Sequence, residues 1–137
     1  MAFKFNQAGK ERALSMLLNK TTSTSAVTMK LYKTTATTPV WANTQTPASF
    51  TECTEAGYAA QAMTGASWTL STPAGEEDKA SYPQITFTFT EAATVYGYYL
   101  VNAAGELIGA ELFNGTTGYT LGSSGGNIKV TLTLSLT

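Results

Sequence analysis

The stretch Gln84-Ile85-Thr86-Phe87-Thr88-Phe89-Thr90 alternates polar and apolar residues along its whole length. Successive side chains of a β-strand point to opposite faces, so this pattern predicts a strand with one apolar face and one hydroxyl-rich face. The same alternation returns near the end of the chain, in Ile128-Lys129-Val130-Thr131-Leu132-Thr133-Leu134. A period of two at both places predicts an all-β fold.

Strand signals of this kind recur between turn residues through most of the chain. Val27, Met29 and Leu31 alternate with polar residues and predict a first strand. Gly105 suits the left-handed position of a short loop, so we expect residues 84–113 to form a three-stranded antiparallel meander. Weaker strand candidates lie at residues 50–54, 57–63, 67–71 and 119–121. About seven or eight short strands fit a small barrel or an antiparallel β-sandwich, jelly-roll-like, and we favour the sandwich.

One predicted strand, Val95-Tyr96-Gly97-Tyr98-Tyr99-Leu100-Val101, is apolar or aromatic on both faces. Such a strand needs cover on both sides, because neither face suits water. The core supplies one cover, and an N-terminal helix, a loop or another subunit would supply the other. We predict that a sister subunit of a cyclic homotrimer covers this second face. Gly97 would let a neighbouring side chain or backbone approach closely.

The N-terminal residues follow a helical period instead. Apolar residues at helical spacing predict an amphipathic helix over residues 7–18, which is marginal alone in water and must dock on the sheet or on a neighbour. We therefore divide the chain into an N-terminal arm with this short helix, residues 1–25, and a β-sandwich domain, residues 26–137. Within that domain, the Thr/Pro/Asn-rich residues 34–49 carry Trp41 and predict a long, contact-making loop.

Composition narrows the classes of partner. Charged residues make up 12% of the 137 residues and the net charge is −1, so no basic patch suits a nucleic acid. Threonine, which favours strands, fills about a fifth of the chain. No apolar run is long enough to span a membrane, and the N-terminus lacks the apolar core of a signal peptide, so we expect synthesis in a cytoplasm.

The sequence offers few candidate catalytic residues. The chain has no histidine, which removes the commonest general base and zinc ligand. Its single cysteine, Cys53, is interpreted as a small, semi-buried hydrophobe. Glu106 and Glu111 are an odd number of residues apart and should face opposite ways on a strand. The acidic residues 76–78 fit a solvated turn better than a calcium loop, and the Gly-rich residues 122–126 fit a flexible turn. We expect no enzyme activity, no cofactor and no metal.

Aromatic residues leave two interpretations open. They could form a sugar-stacking platform, as in a carbohydrate-binding module, or they could pack in the core and at interfaces. Trp68 and Phe87 are expected in the core, and Trp41 is a candidate interface anchor. The aromatic residues concerned are Trp41, Trp68, Tyr82, Tyr96, Tyr98, Tyr99 and Tyr119.

Taken in order, the motifs resemble small virion structural proteins of tailed bacteriophages. The resemblance covers most of the chain from about residue 10 onward. An amphipathic N-terminal segment precedes Met29-Lys30-Leu31-Tyr32-Lys33, Gly57-Tyr58, Thr64-Gly65-Ala66-Ser67-Trp68, Tyr82-Pro83-Gln84-Ile85-Thr86-Phe87-Thr88-Phe89, Val95-Tyr96-Gly97-Tyr98-Tyr99, Glu111-Leu112-Phe113-Asn114-Gly115 and Ile128-Lys129-Val130-Thr131-Leu132-Thr133-Leu134. The chain carries Asn127 where relatives often have an acidic residue, and its Thr-rich residues 21–25 depart from the pattern.

This resemblance implies a virion protein without catalytic residues. Among virion proteins, we favour a capsid decoration (cement) protein that binds the major capsid protein. The expected oligomer is a homotrimer. A tail or head-fibre component, or a domain that binds host-surface glycans, are the alternatives. We expect the arm to make contacts through Phe3, Phe5, Leu14, Leu17 and Leu18, and the loop and sheet to make them through Trp41, Tyr96 and Tyr98.

Overall fold

The computed structural model describes residues 4–5, 26–33, 45–71, 79–113 and 117–135, and these form antiparallel β-structure with almost no helix. The prediction of an all-β fold is confirmed. The strands are β1 (Lys4–Phe5), β2 (Val27–Tyr32), β3 (Gln61–Met63), β4 (Thr69–Ser71), β5 (Lys79–Ser81), β6 (Ile85–Phe89), β7 (Ala93–Val95), β8 (Gly97–Val101), β9 (Leu107–Leu112), β10 (Tyr119–Leu121), β11 (Gly126–Val130) and β12 (Thr133–Ser135). Single turns of 3-10 helix lie at Pro47–Ser49 and Gly65–Ser67.

A five-stranded antiparallel sheet, in the order β1-β9-β8-β2-β3, forms one part of the fold. Its centre is β8, which pairs with β2 on one side and with β9 on the other. At one end of the sheet β1 pairs with β9, with Lys4 opposite Ala110. Part of the predicted N-terminal arm therefore belongs to the sheet, whereas the helix predicted at residues 7–18 lies outside the described residues.

Strand β6, which contains the alternating residues 85–89, forms a two-stranded ribbon with β11 near the end of the chain. It pairs antiparallel with β11, from Ile85 opposite Val130 to Phe89 opposite Gly126, and β5 pairs with β12 beyond it. The Tyr82 N–H donates to the Leu132 carbonyl at 2.9 Å and joins the two pairings across the bend. Strand β4 continues the second pairing to give the order β12-β5-β4.

The predicted three-stranded meander over residues 84–113 is wrong in part. Its second hairpin is present as β8 and β9, but β6 pairs with β11, and β7 pairs with β10. The predicted strand at 95–101 breaks at Tyr96, and its first part, β7, belongs to a different sheet. Alternation specifies which face of a strand is buried but carries no information about which strand lies beside it.

The main core cluster draws side chains from both the five-stranded sheet and the ribbon. Met29 and Leu31 of β2 and Tyr98 and Leu100 of β8 share it with Phe87 on β6. Phe87 is 1% exposed, which agrees with its expected place in the core, and Trp68 is half-buried against the same cluster. Burial of each large apolar side chain contributes about 1.5–3 kcal/mol to stability.

A second cluster covers the other face of β8. Tyr99 and Val101 are buried against Tyr32, Phe50 and Leu107, among others, and the Phe50 ring stacks on Tyr99 with centroids 5.1 Å apart. The expectation that both faces of this strand are covered is therefore confirmed. Because a single chain supplies that cover, no second subunit is required at this face. The need to cover β8 therefore gives no support to a homotrimer.

The turn between β8 and β9 is held by Asn102, the one buried polar side chain in the described part of the chain. Its Oδ1 accepts hydrogen bonds from the backbone N–H groups of Ala104 and Glu106, each at 2.9 Å. Its Nδ2 donates to Glu106 Oε2 at 2.6 Å. The Asn102 side chain thus holds the turn that connects β8 and β9.

Replacing this side chain tests its role. Asn102→Ala is expected to lower the free energy of unfolding by about 2 kcal/mol, because the turn loses two hydrogen bonds to its backbone, each worth about 1 kcal/mol. Urea denaturation followed by circular dichroism measures the effect. Asn127→Ala, at an exposed position on β11, is the matched control and should change stability by less than about 0.5 kcal/mol. Equal stability of the two variants would contradict this account.

Candidate functional site

The carboxylates nearest to the core have structural partners. Glu52 Oε2 lies 2.9 Å from Lys30 Nζ, and the Tyr58 hydroxyl donates to Glu52 Oε1 at 3.1 Å. The same hydroxyl accepts the Leu31 N–H at 3.1 Å. These bonds join the segment after the first 3-10 helix to β2, so we assign this cluster to stability.

Cys53 lies between these groups and is 2% exposed. Burial, followed by the nearby Glu55 carboxylate, raises the pKa of its thiol to about 12. A thiol with so high a pKa carries almost no thiolate at neutral pH and is a poor nucleophile. The sequence predicted a small, semi-buried hydrophobe at Cys53, and the structure buries it almost completely.

The residues predicted to make contacts fall in different places. Phe3, Leu14, Leu17, Leu18 and Trp41 lie outside the described residues. Phe5 lies in β1, opposite Gly109.

The two tyrosines predicted for the sheet differ in exposure. Tyr96 is half-buried at the break between β7 and β8. Tyr98 is 1% exposed and belongs to the main core, so its hydroxyl and ring are not available to a partner that approaches from outside.

Two glutamates considered as a catalytic pair have separate partners. Glu106 bonds to Asn102, whereas Glu111 accepts the Tyr98 hydroxyl on Oε2 at 2.6 Å. Across the described ranges, no cluster of three or more His, Cys, Asp or Glu residues could hold a metal ion. Helices there are single turns, and none is long and apolar enough to cross a membrane.

An open groove lies between β10, β11 and the end of β9. Its volume is about 460 Å³. Aromatic and aliphatic side chains form part of its lining, and the remainder carries a carboxylate, an ammonium, an amide and hydroxyl groups. The lining residues are Tyr98, Glu111, Phe113, Tyr119, Thr120, Leu121, Asn127, Ile128, Lys129, Val130 and Thr131.

Three aromatic rings lead from the core to the mouth of this groove. Tyr98 contacts Phe113 with ring centroids 5.8 Å apart, and Phe113 contacts Tyr119 edge to face at 5.6 Å. Tyr119 is 51% exposed, whereas Tyr98 is buried. Sequence reasoning named Tyr119 only among the aromatic candidates and missed Phe113 and Glu111 as groove residues. Their meeting depends on strand pairing, which local patterns do not specify.

A second exposed feature is the strand β4. All its side chains are exposed, and Leu70 is 80% exposed, the highest value among the large apolar residues of the described segments. β4 is an end strand of its sheet and carries no charged residue. An exposed leucine on such a strand is a candidate contact point.

Comparison of this chain with protein-family models, with curated proteins and with solved structures finds no significant match.

Proposed function

We propose that this protein is a non-enzymatic structural component of a tailed-bacteriophage virion, and specifically a decoration (cement) protein. In this role it binds the major capsid protein and stabilises the head shell. The motif resemblance supports the virion class. The observation that carries the assembly role is the exposed end strand β4 with Leu70 80% exposed.

The chemistry of β4 favours contact by shape and apolar burial. Natural proteins commonly protect end strands with charged residues, and Thr69, Leu70 and Ser71 supply none. An end strand also offers backbone N–H and C=O groups along one edge. With a net charge of −1, electrostatic steering toward a partner is weak. We therefore propose that β4 contacts the capsid shell.

The finer architecture is part of the proposal. The shared core between the five-stranded sheet and the β5-β6/β11-β12 ribbon supports two layers of a jelly-roll-like β-sandwich. The protein would assemble as a homotrimer on the virion after synthesis in the host cytoplasm. Phe3, Phe5, Leu14, Leu17, Leu18 and Trp41 remain the proposed contacts of the arm and loop.

Co-sedimentation with purified heads that lack the protein tests the assembly role. Leu70→Asp is expected to weaken binding at least about tenfold, because burying an unpaired carboxylate in an apolar contact is costly. The fold should persist, since the side chain is exposed. Ser124→Asp places the same charge in an exposed turn and should bind like the wild type.

Two outcomes would contradict the proposal. Heads that bind Leu70→Asp as tightly as the wild type would exclude β4 as the contact. Failure of the wild-type protein to bind heads would exclude decoration itself. Co-sedimentation with purified tails instead would favour the alternative, a tail or head-fibre component.

A further inference from the structure

The groove between β9, β10 and β11 carries chemistry that shell binding does not use. At about 460 Å³ it falls within the range of small-molecule sites in proteins. It joins an exposed aromatic ring, a carboxylate and several uncharged polar groups within one concave surface. None of the residues of β4 lines this groove.

The aromatic part of the groove is held in place before any ligand arrives. Tyr119 packs edge to face on Phe113, and Phe113 packs on the buried Tyr98. A ring fixed in this way loses little conformational entropy on binding. Tyr119 is 51% exposed, so a ligand can cover apolar ring surface that now faces water.

The polar part of the groove is also held in place. The Tyr98 hydroxyl donates to Glu111 Oε2 at 2.6 Å, which fixes the carboxylate beside the aromatic rings. The second oxygen of this carboxylate, Oε1, can accept a ligand hydroxyl in a charge-assisted hydrogen bond. Asn127, Lys129 and Thr131 also line the groove and supply further donors and acceptors.

We propose that this groove binds a neutral saccharide, with Tyr119 as the stacking ring and Glu111 as the acceptor for ring hydroxyls. A pyranose presents one face of C–H groups and a rim of hydroxyls, which matches an aromatic ring beside a carboxylate and an amide. The carboxylate of Glu111 and the ammonium of Lys129 cancel in formal charge, which favours an uncharged ligand. This inference does not depend on capsid binding.

Other classes of ligand fit this surface less well. A nucleic acid or a phosphorylated ligand would meet one lysine and one carboxylate on the groove walls. A fatty acyl chain would displace water from the Glu111 carboxylate and the Asn127 amide without offering a hydrogen bond in return, at a cost in free energy. The mixed lining therefore selects for a ligand that is itself both apolar and hydroxylated.

NMR titration of the isotope-labelled full chain with glucose, galactose, mannose and N-acetylglucosamine tests the proposal. At least one of these sugars should shift the backbone signals of β10 and β11 with millimolar affinity. Tyr119→Ala should weaken that binding at least about tenfold, and Glu111→Gln should weaken it by a similar factor. Tyr119→Phe keeps the ring and should stay within about threefold of the wild type.

The outcomes separate this inference from the proposed function. Leu70→Asp should bind sugar like the wild type, and Tyr119→Ala should bind heads like the wild type. The saccharide site is excluded if none of the four sugars shifts groove signals, or if Tyr119→Ala, with native circular dichroism, binds as well as the wild type. Shifts produced only by sialic acid, included as an anionic probe, would exclude the neutral class.

Discussion

Raising the pH above about 10 is expected to unfold the protein in one cooperative step, because its buried tyrosines ionise readily only in the unfolded chain. Burial, with a smaller contribution from Glu111, holds the pKa of Tyr32 well above the usual value of 10. Burial and the hydrogen bond to Glu111 do the same for Tyr98. Burial raises the pKa of Tyr99 to about 12 and that of the Cys53 thiol to about 12.

The direction of the effect follows from counting protons. Between about pH 10 and about pH 12 the native state keeps protons that the unfolded state has lost, so the free energy of unfolding falls as the pH rises. Each such group contributes up to about 1.4 kcal/mol per pH unit. Four groups together lower the free energy of unfolding by up to about 5 kcal/mol per pH unit. Over a few pH units this loss exceeds the total stability of about 5–15 kcal/mol that is typical of proteins.

One tyrosine opposes this trend. The Tyr82 hydroxyl accepts the Thr64 N–H at 2.9 Å, and hydrogen bonding to Thr64 lowers its pKa below the usual value. Because the pKa of only this one tyrosine is lowered, the free energy of unfolding still falls as the pH rises. Below about pH 8 the groups with raised pKa are protonated in both states, so stability there should be independent of them.

Circular dichroism and tyrosinate absorbance, recorded together against pH, measure this transition. Loss of β-structure and ionisation of tyrosine should coincide. Tyr99→Phe keeps the ring stacked on Phe50 and should move the midpoint to higher pH. Tyr119→Phe removes an exposed hydroxyl and should leave the midpoint unchanged. Tyrosine ionisation completed while the β-structure stays native would contradict the prediction.

Gly97→Ala is expected to cause a large loss of stability. A Cβ added at Gly97 would meet the Glu111 carbonyl oxygen and would lie 2.6 Å from the Tyr32 hydroxyl oxygen. Neither neighbour can withdraw easily, because Tyr32 is fully buried and the carbonyl belongs to β9. Overpacking of this kind costs about 3 kcal/mol or more.

Thermal unfolding measures this effect, and the melting temperature should fall by about 10 °C. Gly122→Ala is the matched control, since a Cβ there finds nothing within 4 Å. It should change the free energy of unfolding by less than about 0.5 kcal/mol. Similar melting temperatures for Gly97→Ala and the wild type would mean that β8 and β9 are not packed as described.

The hairpin of β8 and β9 shows where local patterns lose predictive power. Val101 pairs with Leu107 next to the turn, but Leu100 pairs with Gly109, so Ile108 is an extra residue in β9. A regular hairpin continued from the first pair would place Ala110 opposite Tyr98. The bulge instead places Glu111 opposite Tyr98, and this pairing creates the carboxylate of the groove.

Local sequence patterns predict the β class, the buried faces of β2, β6 and β11, and the need to cover both faces of β8. Alternation and composition carry that information, because burial follows from the residues of one strand. The pairing of β6 with β11, the cover of Tyr99 by Phe50, and the meeting of Phe113 and Tyr119 beside Glu111 emerge only from the folded structure. The first two contacts join segments far apart in the chain. The third depends on a bulge in β9 and on strand partners that no local pattern encodes.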